Sequence, residues 1–408
     1  LAPSLTPPLA AADRSLHLKI GDPARREREA PLVLDGVTDT RTGALLTPAE
    51  LPGQLSGVRL LLVGESHTDI EFHRVQLRVL EELVRSGREV FVGLEMYPYT
   101  EQRFLDQWVD GLLTEEGFLE LSRWYENWGY HWAYYRDIFL FARDHKVRLF
   151  AVNAPRDVVT EVRKKGIAGL SPEAKAHIPS DILPSDAEHQ ALFRSFFEEG
   201  DPLHSGLSDD AWNGMYSAQT TWDATMAHNA VQALRDKGGP QTLLVLLAGA
   251  GHVAYGVGIA RQAAHGWDGR IATLVPVNVA DDKGAPVQNV EASYADFVWG
   301  VPPEADPLYP SLGTSTQPAA PGSDGGGLQV ILVSEETPAA AAGVKVGDRL
   351  LALDGTPLPS KAALNRLMAG KRWGDGAKLT IAREGKRQEL TVVFRRKAPA
   401  ARPSAGPA

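Results

Sequence analysis

Val58-Arg59-Leu60-Leu61-Leu62-Val63-Gly64-Glu65-Ser66-His67 is an apolar run that breaks abruptly into groups capable of chemistry. A short, nearly continuous apolar run is expected of a strand buried on both faces of a parallel sheet. A helix signal follows at once. Thr68-Asp69-Ile70-Glu71 reads as a capping box, Phe72, Val75, Val79 and Leu83 share one face, and Gly87 suits the stop. Further runs at Val90–Leu94, Val147–Val152, Leu243–Leu247 and Ile271–Val277 alternate with helical stretches. The alternation predicts an α/β fold, a parallel-sheet core with helices on both faces.

Working outward, residues 1–30 begin rich in Pro and Ala and turn charged, which predicts a poorly ordered lead-in. Residues 31–299 carry the α/β pattern. Residues 300–326 are crowded with Pro, Gly and Ser and read as a linker. A compact, regular block spans 327–396, and 397–408 read as a disordered tail. At 408 residues the chain exceeds what one core usually serves, so two domains are expected. A net charge of -9 gives phosphates no broad cationic face and argues against general nucleic-acid binding. No run is long and apolar enough for a transmembrane segment. The absence of cysteine excludes disulfides, thiolate metal sites and a cysteine nucleophile. The first residue is Leu1 rather than methionine, which allows for a removed export signal.

The ends of the apolar runs are the informative places. Val58–Val63 leads to Gly64-Glu65-Ser66-His67, Val90–Leu94 to Glu95, Val147–Val152 to Asn153, and Leu243–Leu247 to Gly249-Ala250-Gly251-His252. In an open parallel sheet the carboxyl ends of the strands share one edge, and ligands bind there. Glu65, His67, Glu95 and His252 are therefore expected in one crevice. A histidine past a strand can be a simple capping group, and Glu65 or Glu95 could bind helix N-terminal amides. The paired Gly-x-x-His frames favour a shared site. Glu71 is explained by the capping box. His73 faces either crevice or solvent, and Asp223, among apolar and aromatic neighbours on a long helix from Asp209 to Leu234, is a candidate for the crevice. The aromatic stretch from Trp124 to Tyr135 is either a subdomain packed on itself or a wall for a flat hydrophobic ligand.

With these residues in view, the stretch from Pro31 to Trp299 resembles the ChaN-like haem-uptake family of the Tiki superfamily, which includes erythromycin-esterase (EreA)-like hydrolases. Gly64-Glu65-Ser66-His67 with His73-Arg74-x-Gln76, Leu94-Glu95-Met96, Val152-Asn153-Ala154-Pro155-Arg156, Leu183-Pro184-Ser185-Asp186-Ala187-Glu188, Ala218-Gln219 with Trp222-Asp223, and Gly249-Ala250-Gly251-His252 follow its motifs in order. The C-terminal block resembles a bacterial PDZ domain. Gly326-Gly327-Leu328 looks like its carboxylate-binding loop and first strand, Pro338 to Leu351 follows its pattern, and Leu364 sits on the helix flanking the groove. The resemblance implies an α/β core plus a small β-rich module.

Two functions follow as expectations. The first is a haem- or tetrapyrrole-binding protein of the bacterial cell envelope, periplasmic or lipid-anchored, with Tyr97, Tyr99, His73 and Asp223 as cofactor contacts and Gly326, Gly327, Leu328 and Leu364 receiving a peptide or protein C-terminus. The second is a hydrolase in which Glu65, His67, Glu95 and His252 are catalytic. In that reading His67, His252 and Glu65 hold a divalent metal such as zinc or manganese. A homo-oligomer is compatible with either.

Overall fold

In a computed structural model the described residues are 11–196, 208–281, 284–303, 307–320 and 326–396. The chain divides into two compact units, residues 1–128 with 133–304, and 129–132 with 305–408. The strands of the first unit are β1 (Glu29–Pro31), β2 (Val37–Asp39), β3 (Ala44–Leu46), β4 (Val58–Glu65), β5 (Val90–Pro98), β6 (Arg148–Asn153), β7 (Leu243–Gly249), β8 (Arg270–Asn278), β9 (Asn289–Glu291) and β10 (Phe297–Val301). Eight of them form one sheet in the order β3-β2-β10-β8-β4-β7-β5-β6, with every pairing from β10 to β6 parallel and β2 and β3 added antiparallel. The expected parallel core is thus present, in a mixed sheet.

The period of two along the strands sorts the core into two faces. Leu60, Leu62, Leu244, Leu246, Val275 and Val277 pack with Met226, Ala230 and Leu234 of the helix Asp209–Lys237. The intervening Leu61, Val63, Val245 and Leu247 are fully buried on the other side, where the helix Ile70–Arg85 contacts β4, β5 and β8. Every one of these helices must cover apolar strand surface on one side, which is why their own apolar residues form a stripe.

Three expectations are corrected. The helix Ile70–Arg85 is capped by Asp69, whose side chain accepts from the Glu71 amide, rather than by Thr68. Asp69 holds the extended backbone that a cap needs, and Glu71 pairs with Arg74 instead. The lead-in is also partly structured: Leu16 and Ile20 enter the core, and the Tyr255 hydroxyl accepts from the Leu18 amide and donates to the Ser15 carbonyl. Its few apolar residues make no period because their partners lie far along the chain. The tail 397–408 and residues 1–10 lie outside the described residues.

The third correction concerns the segment read as a linker. It contributes a strand to the second unit, whose sheet is built from β11 (Thr314–Pro318), β12 (Leu328–Val333), β13 (Arg349–Leu353), β14 (Thr356–Pro357), β15 (Gly376–Arg383) and β16 (Lys386–Val393). The order is β11-β12-β13-β15-β16, with β14 against β13, and all of these pairings are antiparallel. Thr314, Ser315 and Thr316 are only half-buried, so β11 lacks the apolar alternation that betrays an inner strand. Leu312, Leu328, Val330, Leu350, Leu364, Ile381 and Phe394 form the small core.

Candidate functional site

Parallel pairing sets Glu65, the last residue of β4, directly opposite Gly249, the last residue of β7. The two Gly-x-x-His frames therefore end side by side, and both imidazoles turn toward Gly249. A Cβ built on Gly249 would stand 3.2 Å from Cε1 and 3.6 Å from Nε2 of His67, and 3.7 Å from Cδ2 of His252. The glycine leaves a gap between two rings. On the other side of β7, the pairing of β5 with β6 slips between Leu94 and Pro98. Such an irregularity re-aims a side chain. Here Asn153 Nδ2 donates to the Glu95 carbonyl at 2.8 Å, while Glu95 Oε2 accepts from the Gly249 amide at 2.7 Å.

Each crevice histidine is tied through Nδ1 to a carboxylate. His67 Nδ1 lies 2.7 Å from Glu65 Oε1, and His252 Nδ1 lies 2.6 Å from Asp223 Oδ1. His252 Nε2 is 3.4 Å from Glu95 Oε1, so this imidazole sits between two carboxylates. Burial alone would lower the His252 pKa, but the charges of Glu95 and Asp223 outweigh it and raise the value to about 10. Burial likewise opposes the charged form of His67, and the Glu65 carboxylate overcomes it, so its pKa also rises. For Glu95 burial acts upward, and the adjacent His252 prevails and holds its pKa below the usual range.

Behind these pairs lies a second buried layer. The other oxygen of Glu65 is 3.5 Å from His73 Nε2, and the other oxygen of Asp223 is 3.1 Å from His189 Nε2. His73 Nδ1 meets Gln76 Oε1 at 3.1 Å, and His189 Nδ1 meets the Tyr216 hydroxyl at 3.0 Å. The Tyr135 hydroxyl donates to Glu65 Oε1 at 3.2 Å, and Gln219 Nε2 lies 3.0 Å from His252 Nδ1. The crevice is edged by aromatic rings. Trp128 meets His67 edge-on at 4.9 Å, Trp222 meets His252 at 6.3 Å, and the exposed Phe196 ring lies over Gly251.

The structure brings Glu65, His67, Glu95, His252 and Asp223 together. It places other candidates elsewhere. His73 and Asp223 are 2% and 0% exposed and stand behind the crevice histidines, not on its surface. Tyr97 is a core residue, packed among Phe118, Trp124 and Phe139 with its hydroxyl on Ser122 at 2.7 Å. Burial drives its pKa up. The half-buried Tyr99 has its hydroxyl 2.6 Å from His177 Nδ1. Trp124 and Tyr135 pack on themselves, and Trp128 borders the crevice. The metal expectation fares differently. Among the described residues no group of three or more His, Asp and Glu is arranged to hold an ion.

Sequence reasoning missed His189 and Tyr216. His189 follows Asp186, whose side chain caps the helix Ala187–Ser195, and it shares a buried face with Leu192. A histidine three residues before a buried leucine on a capped helix was the available signal.

In the second unit the peptide-binding assignment needs correction. Leu328 is paired on one side with Pro318 of β11 and on the other with Leu350 of β13, so no edge is open for an added strand at Leu328. Gly327 (φ 98°) is required by packing, because a Cβ there would stand 2.6 Å from the Leu350 carbonyl oxygen. Gly326 accepts from Arg349 through its carbonyl. Leu364 faces the core. The strand that ends the sheet is β11, which follows Ser311-Leu312-Gly313 and has the helix Lys361–Met368 against it.

Five likenesses bear on identity. Residues 51–262 match the family described as haem-binding uptake, Tiki superfamily, ChaN, and residues 310–393 match the PDZ domain. Protein RETICULATA-RELATED 5, chloroplastic, of Arabidopsis thaliana is 28% identical over 265 residues, 60% of this chain and 34% of its own length. A probable periplasmic serine endoprotease, DegP-like, of Pseudomonas putida is 44% identical over 66 residues, covering 16% of this chain and 14% of that protein. The chain thus spans about a third or less of the curated relatives it matches. The solved structure of ChaN from Campylobacter jejuni superposes with a TM-score of 0.50 at 18% identity, covering 66% of this chain and 98% of that one, which is a likeness of fold. With a family match across its α/β core and a PDZ match beyond it, the chain belongs to the ChaN haem-binding uptake family of the Tiki superfamily and carries a C-terminal PDZ domain.

Proposed function

We propose that the crevice between β4 and β7 binds haem in the bacterial cell envelope and that the PDZ domain recruits a peptide or protein terminus. The observation that carries the haem reading is the pair of carboxylate-tied imidazoles facing a gap that a single Cβ would fill, edged by Trp128, Trp222 and Phe196. A macrocycle needs apolar faces at its edge and a nitrogen donor for its iron. His67, its Nδ1 on Glu65 and its side chain 31% exposed, is the donor that fits. His252, cationic beside it, favours an anionic ligand. Bound haem would supply the iron and its redox chemistry. The chain's own residues orient the imidazoles and keep the charge. The family description and the cofacial haem named for the Campylobacter jejuni protein support the same reading. The periplasmic label of the DegP-like relatives supports the envelope location.

A haemin titration followed at the Soret band tests it. The chain is expected to give a saturable shift, and Gly249→Val is expected to weaken binding by at least tenfold, about 1.4 kcal/mol. Gly249 has φ -53°, a backbone open to any residue, so the variant fills the gap without forcing the turn. A featureless titration of the parent chain would sink the haem reading.

For the PDZ domain the supporting observation is the terminal position of β11 beside the helix Lys361–Met368. An extended peptide adds to such an edge, and loop amides at Ser311-Leu312-Gly313 receive its carboxylate. A labelled peptide with a free apolar C-terminus is expected to bind about tenfold more tightly than its amide-blocked twin. Equal affinities would remove carboxylate capture.

A further inference from the structure

The two crevice histidines are supported in the same way, by side chains from different parts of the chain. His67 bonds Glu65, and Glu65 meets His73. His252 bonds Asp223, and Asp223 meets His189. Both inner histidines are almost fully buried, at 2% and 1% exposure. Both have their remaining ring nitrogen engaged, His73 with Gln76 and His189 with Tyr216. Neither borders the gap beside Gly249. A buried imidazole is costly without partners: His73 has Gln76 and the His67 carbonyl, the latter 3.3 Å from its Nε2, and His189 has Tyr216.

We propose that His73 and His189 are positioning residues: acting through Glu65 and Asp223, they fix the orientation of the crevice imidazoles, each held with Nδ1 on its carboxylate. The role in ligand binding rests on the haem reading above, whereas the positioning itself does not. The physical argument concerns the carboxylates. A carboxylate bonded on one oxygen only can rotate and offer either oxygen to its imidazole. A second imidazole at ion-pair distance from the other oxygen, 3.5 Å for His73 and 3.1 Å for His189, favours one plane of the carboxylate by electrostatic attraction without hydrogen-bond geometry, and so favours one direction of the outer ring. Outer partners of this kind typically change metal affinity by about 10–100-fold when removed. His189 faces Asp223, and the other groups around that carboxylate are His252 and, through His252, Glu95 and Gln219. His73 faces Glu65, beside which stand His67 and Tyr135.

The test uses the full chain labelled with 15N-histidine. Long-range 1H–15N spectra of the ligand-free protein report the shift, and hence the hydrogen-bonded environment, of each ring nitrogen of His252 and His67, and a haemin titration runs alongside. His189→Phe, which keeps volume but offers no nitrogen, is expected to replace the single His252 pattern by an averaged one and to weaken haemin binding about tenfold. His189→Gln, able to bond both Tyr216 and Asp223, is expected to restore both. His73→Phe is expected to act in the same way on His67. If His189→Phe fails to fold, Tyr216→Phe, which removes only the hydroxyl that holds His189, reads the same signal. Unchanged His252 and His67 patterns in the folded variants would overturn the proposal, as would a loss that the glutamine does not rescue. A parent chain that takes no haemin yet shows the altered patterns in its variants removes the haem reading and leaves the positioning intact.

Discussion

Asp223→Ala is expected to destabilise the α/β unit by about 3–5 kcal/mol, the usual consequence of removing one member of a buried ionic set. Asp223 is fully buried in the middle of the helix Asp209–Lys237 and is shared by two imidazoles, at 2.6 Å from His252 and 3.1 Å from His189. Truncation leaves a cationic His252 with Glu95 as its remaining carboxylate and leaves His189 facing a void. The Gly258 backbone also packs close to Asp223, since a Cβ on Gly258 would stand 3.2 Å from Oδ1, so little can move in to fill the space. Urea denaturation followed by tryptophan fluorescence measures the loss. The transition to be read is the one that carries Trp124, Trp128 and Trp222, all of which lie in the first unit. A cost below about 1 kcal/mol would mean that the buried charges are not held as described.

Stability is expected to fall as pH rises through about 10, because His252 is held charged to that value by Glu95 and Asp223. A histidine whose folded pKa lies above its unfolded value, 6.5, contributes stability that is fully present below 6.5 and is lost on the way to about 10. Each unit of displacement is worth about 1.4 kcal/mol. His67, also raised, acts in the same direction. Glu95, held low, contributes at the opposite end: its share is present above the ordinary carboxylate value and is lost as pH falls through its folded pKa. The α/β unit is therefore expected to be most stable between these limits. Denaturation of the parent chain and His252→Gln at pH 7, 9 and 10.5 checks it. The parent should lose more than the variant across the alkaline interval, since lysine titration is common to both. Parallel losses would show that His252 is not the group responsible.

Much of the crevice was legible in the sequence because its residues sit at fixed offsets from apolar runs. A strand that is buried on both faces must be apolar until it reaches the sheet edge, so Gly64-Glu65-Ser66-His67 and Gly249-Ala250-Gly251-His252 announce themselves by where the apolar run stops. Asp223 was flagged by its apolar neighbours. His189 and Tyr216 were not, because the pairing of His189 with Asp223 joins residues on different helices and no periodicity connects them. Tyr97 and Tyr99 were read as crevice residues from their place after β5, yet the slip beyond Leu94 sends Tyr97 into the aromatic core. In the second unit the peptide edge was misplaced for a related reason. Local composition describes Thr314–Pro318 as polar and irregular, but whether a strand is inner or terminal depends on the order of the whole sheet.

By itself the sequence determined the α/β class, the positions of the main strands, the PDZ module and the four polar residues that end the apolar runs. These depend on periodicities of 2 and 3.6 residues and on turn chemistry, all of which are local. The tertiary structure alone decided which carboxylate each histidine meets, that β4 and β7 end in register at Glu65 and Gly249, and that β11 rather than β12 ends the second sheet. Those are contacts between residues far apart in the chain. They are selected by how apolar faces pack and how backbone groups pair across the sheet, and no single segment carries that information.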